Sequence, residues 1–317
     1  MTPLQDAARI AAVDCMGIQS GEKVVVVTDA PCRSVGQAIF EVVRDSGNQV
    51  LLVEITPRRV PGEEPPGEVS DLMKKADLVF CPTSMSMTHT DAKRSAQASG
   101  VRVCTLPGIT EEVMVRCMNA DYFAIAERTN KLKILLDRTD VIRVTSPAGT
   151  DVTMPVKGRV TIASHGLFRE KGMGGNLPTG EAFLAPLEDE TQGKVVIDGS
   201  MAGIGMLSTP LMISVRDGYA ELVEGGEEAA KLEQLWSIHG RLARAVAEFG
   251  IGTNDKARIT GVILEDEKVM GTVHIAFGDN ITMGGKVRVQ SHLDGLITSP
   301  SVWLDSRQIM ADGKLLV

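Results

Sequence analysis

The stretch Glu22–Asp29, EKVVVVTD, holds four consecutive valines between charged ends. An apolar run that short reads as a strand buried on both faces. It recurs as QVLLVEI (49–55), DLVFC (77–81) and VRVCT (101–105). Between these runs lie helical segments near 32–46, 68–75, 88–99 and 109–136. Strands of this kind alternating with helices make βαβ units and a parallel sheet. Upstream, Thr2 and Gln5 have capping-box spacing around Pro3, which predicts a helix to about Gly17. Residues 1 to about 138 therefore read as a doubly wound α/β domain.

From DVIRVTSPAGTDVTM (140–154) onward the texture changes. Only nine of the 32 glycines fall in residues 1–150, and the later ones punctuate short strands such as KVVIDGSM and LMISVRDGYAELVEGG. These read as antiparallel hairpins, interrupted by one long helix predicted over about Glu227–Glu248. This half is an α+β domain, and a chain of 317 residues is long enough for two cores.

Composition excludes several classes. A net charge of −8 and a pI near 5.3 argue against a nucleic-acid partner. No apolar run reaches the length of a membrane span, and the first residues open a helix rather than a signal peptide. The five cysteines form no Cys-x-x-Cys pair and several lie within apolar strands, where buried thiols are common, so a reducing cytoplasm is expected. TDAPCRS after the first strand lacks Gly-x-Gly-x-x-Gly, and MGGKV is no phosphate loop, so nucleotide binding is not expected. A small molecule or short peptide remains as substrate.

Chemistry concentrates in the second half. In VQSHLDGLI (289–297), His292 and Asp294 stand two apart in a strand and so share a face. In GTVHIAFGDN (271–280), His274 shares a face with Thr272 and Ala276, opposite Val273, Ile275 and Phe277. A hairpin through GDNITMGG would bring the imidazoles and Asp294 together. GGNLPTGEAFLAP (174–186) fixes Glu181 after a Gly/Pro turn. Glu248 is placed at the end of the long helix, where a carboxylate opposes the dipole unless a cation compensates. Such imidazole and carboxylate donors suit zinc, cobalt, manganese or iron. Taken singly, each is also an ordinary polar surface residue. His89 lies in MTHTDAKRSA, where Thr88 and Asp91 have capping-box spacing, at the carboxyl edge of the first sheet where open α/β folds bind ligands. It is a candidate substrate-binding residue, or else an exposed histidine.

NLPTGEAFLAP, GTVHIAFGDN and GGKVRVQSHLDG, in that order, resemble the leucyl aminopeptidase / aminopeptidase T family of metallopeptidases. The resemblance implies a flavodoxin-like α/β domain over 1–138 and a metal-binding catalytic α+β domain over 139–317. It further implies two divalent metals (Zn, Co or Mn) on Glu181, Glu248, His274, His292 and Asp294, with Glu181 and Glu248 catalytic, and a homodimer. The family's tyrosine seven residues after its histidine is Ile281 here. The same superfamily includes 2,5-dihydroxypyridine 5,6-dioxygenase, which holds one Fe(II) with two histidines and an aspartate, and its HLD motif is similar to residues 292–294. Glu181 and the lack of histidine in FGIGTN favour the hydrolase-type site: metal-activated water cleaving a small amide or aminoacyl bond. The ring-cleaving dioxygenase is the alternative.

Overall fold

The computed structural model describes residues 1–317. The chain forms two compact units, Met1–Ala126 with Gly166–Thr179, and Glu127–His165 with Gly180–Val317. The boundary falls inside the helix Tyr122–Leu136 rather than after residue 138. Residues 166–179 return to the first unit because Gly174–Asn176 adds a strand to its sheet beside Arg102–Pro107. Three residues are too few to show a period in sequence.

The first unit is built on a parallel sheet in the spatial order Gln49–Ile55, Lys23–Asp29, Leu78–Thr83, Arg102–Pro107, Gly174–Asn176. The two halves of the sheet run outward from the first strand, as expected of a doubly wound fold. Leu78–Thr83 is buried throughout. The edge strand Gln49–Ile55 alternates instead, leaving Leu51 54% exposed. The capping box of Thr2 and Gln5 is formed. That of Thr88 and Asp91 is not: Thr90 caps the helix Asp91–Ala98 by accepting from the Lys93 N–H. All five cysteines are buried free thiols.

The second unit holds two antiparallel sheets, one of eight strands and one of seven. The seven-stranded sheet matters here; its central order is His292–Ile297, Val273–Gly278, Val246–Gly252, Glu181–Leu184. Its inner face supplies Val273, Ile275, Phe277, Phe249, Ile251, Ala182 and Leu184 to a core shared with Ile142, Val144 and Ile213 of the other sheet. This is the side-chain alternation read from VHIAFG. The long helix is shorter than its predicted span. It covers Gly226–His239 and stops at Gly240, whose φ of +72° suits a residue without Cβ. After a 3₁₀ turn, Val246–Gly252 is a fully buried strand. Glu248 therefore lies mid-strand, and the helix-dipole argument for it does not hold.

Trp236 from the helix meets Phe277 edge to face, with ring centroids 5.4 Å apart. Phe277→Ala is expected to cost about 3–5 kcal/mol through the cavity it leaves, read from the urea unfolding midpoint. A loss under about 1 kcal/mol would mean that the sheet and helix are not packed through this residue.

Candidate metal centre

Opposite its core face, the seven-stranded sheet carries an acidic cluster, and the register shows how it assembles. Ala276 pairs with Asp294 on one side and with Glu248 on the other, so the two carboxylates flank a methyl group. Gly250 pairs with His274, and Gly252 with Glu181. Directly paired residues of antiparallel strands project to the same face. Four neighbouring strands thus contribute His292 with Asp294, His274, Glu248 and Glu181. Small residues between them leave the room: a Cβ on Gly250 would lie 2.1 Å from His274 Nε2. The imidazole lies across the space that a side chain at 250 would fill.

Distances confirm the convergence. His274 Nε2 is 3.0 Å from Glu248 Oε1 and 3.7 Å from Glu181 Oε2. His292 Nε2 is 3.2 Å from Glu248 Oε2 and 3.5 Å from Asp294 Oδ1. His292 Nδ1 donates to the Asp279 carbonyl oxygen at 2.7 Å, since a carbonyl can only accept. In the neutral ring this leaves the Nε2 lone pair facing two carboxylates, the arrangement by which a second partner orients a metal-ligating imidazole. His274 Nδ1 is buried without a hydrogen-bond partner.

Two further groups, adjacent in sequence, complete the cluster. Glu267 and Lys268 follow the short helix Ile263–Asp266. Lys268 Nζ lies 2.8 Å from Glu181 Oε1 and also contacts Glu267. In sequence, EDEKVMG is a charge run of the kind that covers surfaces, and its partner Glu181 is 87 positions away. Nothing local marks it. The loop is held by Asp266, which accepts from Ser200 Oγ at 2.6 Å and from the Gly261 N–H at 2.9 Å.

The electrostatics follow from burial and charge count. Burial pushes Glu181 up, and pushes Glu267 up to about 8 despite Lys268. Burial would lower His274, but the hydrogen bond and charge of Glu248 outweigh it and raise the ring to about 9. His292 is also burdened by burial, yet Asp294 and Glu248 hold it well above its usual value. Asp294 moves the other way, burial being overcome by the charge of His292. Glu181, Glu248, Glu267 and Asp294 thus face one lysine, and the metal-free cluster takes up protons on its imidazoles to balance. A divalent cation fits the same need. Each of two groups, Glu248/His292/Asp294 and Glu181/Glu267/His274, brings one donor atom per residue within 4.8 Å of the others.

Glu181, Glu248, His274, His292 and Asp294, the ligand set implied by resemblance, therefore stand together. His89 is an exposed residue of the first unit, just ahead of the Asp91–Ala98 helix. Ile281 lies in the 3₁₀ turn Ile281–Met283 and is 36% exposed.

Two outcomes follow. Gly250→Ala, which forces the His274 ring aside, should weaken divalent-metal binding by at least about tenfold, measured by calorimetric titration; unchanged affinity would place His274 outside the centre. Metal-free protein should lose stability on the alkaline side. His274 has an ordinary value of 6.5, raised on folding, so its contribution is full below about 6.5 and is lost as pH rises through about 9. An imidazole so shifted carries on the order of 3 kcal/mol. Denaturation of the apo-protein from pH 6 to 10 checks this, and a flat profile would contradict it.

Comparison with known proteins extends along the whole chain. A family model described as NicX, 2,5-dihydroxypyridine 5,6-dioxygenase, matches residues 10–317. The 2,5-dihydroxypyridine 5,6-dioxygenase of Pseudomonas putida KT2440 is 22% identical over 262 residues, covering 77% of this chain and 72% of that protein. A solved structure of 2,5-dihydroxypyridine dioxygenase from Pseudomonas putida KT2440 superposes with a TM-score of 0.85 at 18% identity, over 99% of this chain and 97% of the other. Wild-type AmpT from Thermus thermophilus superposes with a TM-score of 0.71 at 17% identity, over 99% of each chain. These likenesses establish a shared fold for both. The expected placement on the aminopeptidase side is corrected by the family match, which goes to the dioxygenases. The Glu181 carboxylate that favoured the peptidase branch has Lys268 as its partner, a compensation that sequence does not show. With the match running from residue 10 to the end and so through every strand of the acidic cluster, the chain belongs to the 2,5-dihydroxypyridine 5,6-dioxygenase family.

Proposed function

We propose that the chain is a non-haem iron(II) dioxygenase that opens a dihydroxypyridine-type ring, with one ferrous ion held by Glu248, His292 and Asp294 beside His274. The observation that carries it is the dioxygenase family match over residues 10–317, on a chain whose His292 Nε2 and two carboxylates form one compact donor group. A ferrous ion in a site of imidazoles and carboxylates supplies open positions for oxygen and a chelating substrate.

The chain's own residues do the rest. The Asp279 carbonyl fixes the His292 tautomer so that Nε2 faces the centre. The His292 side chain is 32% exposed while that of Glu248 is 8% exposed, so the ring reaches the centre from the His292 side. Ala276 and Gly250 keep the floor of the site free of bulky side chains.

One observation favours a second reading, two-metal hydrolysis of a small amide or aminoacyl bond. It is the additional donor group Glu181/Glu267/His274, on a fold shared with AmpT. Oxygen uptake with 2,5-dihydroxypyridine, set beside hydrolysis of aminoacyl anilides, separates the two. Protein loaded with Fe(II), Zn(II), Co(II) or Mn(II) is used for each. The expected result is uptake dependent on Fe(II), reduced at least about 100-fold in His292→Ala and Asp294→Ala. Anilide hydrolysis without oxygen uptake would overturn the dioxygenase in favour of the hydrolase.

A further inference from the structure

The cluster offers two donor groups but only one uncommitted place for a metal. Both carboxylates of Glu181/Glu267/His274 are already partners of Lys268, at 2.8 Å for Glu181 and in direct contact for Glu267. Both carboxylates of the other group, Glu248 and Asp294, face His292 Nε2 instead. The lysine is not free to swing out. Its side chain is 3% exposed. Its N–H donates to the Glu265 carbonyl at 3.0 Å, and its own carbonyl accepts from the Asn254 N–H at 2.9 Å. A buried ammonium with carboxylate partners is retained because removing it would leave their charges uncompensated.

Resting on the one-ion reading of the centre, we propose that Lys268 takes the place of a second metal ion: its ammonium occupies and neutralises the Glu181/Glu267 half of the cluster and sets the stoichiometry at one divalent ion per chain. A divalent cation on Glu181 and Glu267 would have to displace the ammonium from the same oxygens. Like charges at that separation, away from water, repel strongly. Removing the lysine turns its two partners into a vacant pair of buried carboxylates beside His274, the donor types that zinc and manganese accept.

The test counts zinc, a redox-inert probe, in full-length protein dialysed against a slight excess and assayed by elemental analysis. Wild type and Lys268→Arg should hold one zinc per chain. Lys268→Met, which keeps an unbranched buried stem without the charge, should hold two and gain thermal stability as the second is added. Folded Lys268→Met that stops at one zinc overturns the proposal, as does a wild type that binds two. Should Lys268→Met fail to fold even with zinc, Glu267→Gln in the otherwise native chain decides. Glu267 is the lysine's partner in this scheme, so one zinc should bind within about twofold of wild-type affinity, whereas a tenfold loss would make Glu267 a ligand and overturn the proposal. Oxygen uptake is read separately. A chain with no dioxygenase activity but zinc counts of one and two would sink the activity and leave the role of Lys268 standing.

Discussion

Three carboxylates on one face of a buried sheet, joined by Glu267 from the turn after the helix Ile263–Asp266 and set against a single lysine, are the constraint around which the second unit is organised. Burying one ionised carboxylate without a partner costs several kcal/mol, and no packing in this unit would sustain four. The cluster is held by compensation at each point: Lys268 between Glu181 and Glu267, His274 on Glu248, His292 between Glu248 and Asp294. The imidazoles supply charge only when protonated, and a proton and a metal ion compete for the same Nε2. In the metal-free cluster the cations are the Lys268 ammonium and the protonated imidazoles, and a bound metal would take the place of the imidazole protons.

The sheet makes that concentration of charge possible by separating it from the core. With a side-chain period of two, each strand places its large apolar residues inward and its chemistry outward. Phe249 and Ile251 are buried in the core while Glu248 faces the cluster; Ile275 and Phe277 pack beneath His274. A slip of one residue would put Glu248 into the core and Phe249 among the carboxylates. Both arrangements are prohibitive, so the functional residues and the core fix one another's register. The small residues Ala276 and Gly250, weak strand formers by themselves, are tolerated because the space above them is used by the imidazole and the carboxylates.

This physics explains which parts were legible in the sequence. The parallel sheet was, because EKVVVVTD and its echoes are buried by helices and carry their strand signal locally. His274, His292 and Asp294 were also legible, each lying in a strand whose alternation is visible within six residues. Glu248 was read as a ligand but on the wrong element. ARAVAEF is rich in helix formers, and only pairing with Val273–Gly278 on one side and Glu181–Leu184 on the other makes it a strand. Tertiary pairing overrode local preference there. Glu267 and Lys268 were illegible for a different reason. Their charges look solvated along the chain, and the oxygen that captures the ammonium belongs to a residue far away in sequence.

The difference between an ammonium and a metal ion then bears on what one fold can do. Both neutralise carboxylates, but an ammonium gives only hydrogen bonds and a fixed field, whereas a metal also polarises oxygen ligands and lowers the pKa of bound water. A centre with a cation of each kind would keep its charge balance while confining coordination chemistry to one point. Of the donors His292, Glu248 and Asp294, His292 is the most exposed and the two carboxylates lie deeper. A second metal in the lysine's place would add an activating ion beside the first and suit hydrolysis by bridged water. Under the proposed one-ion centre, oxygen and a chelating ring would meet on a single ion, with Lys268 holding the neighbouring carboxylates. In this chain, the buried Lys268 fixes where in the cluster a hydrogen-bonded ammonium stands and where metal donors are left.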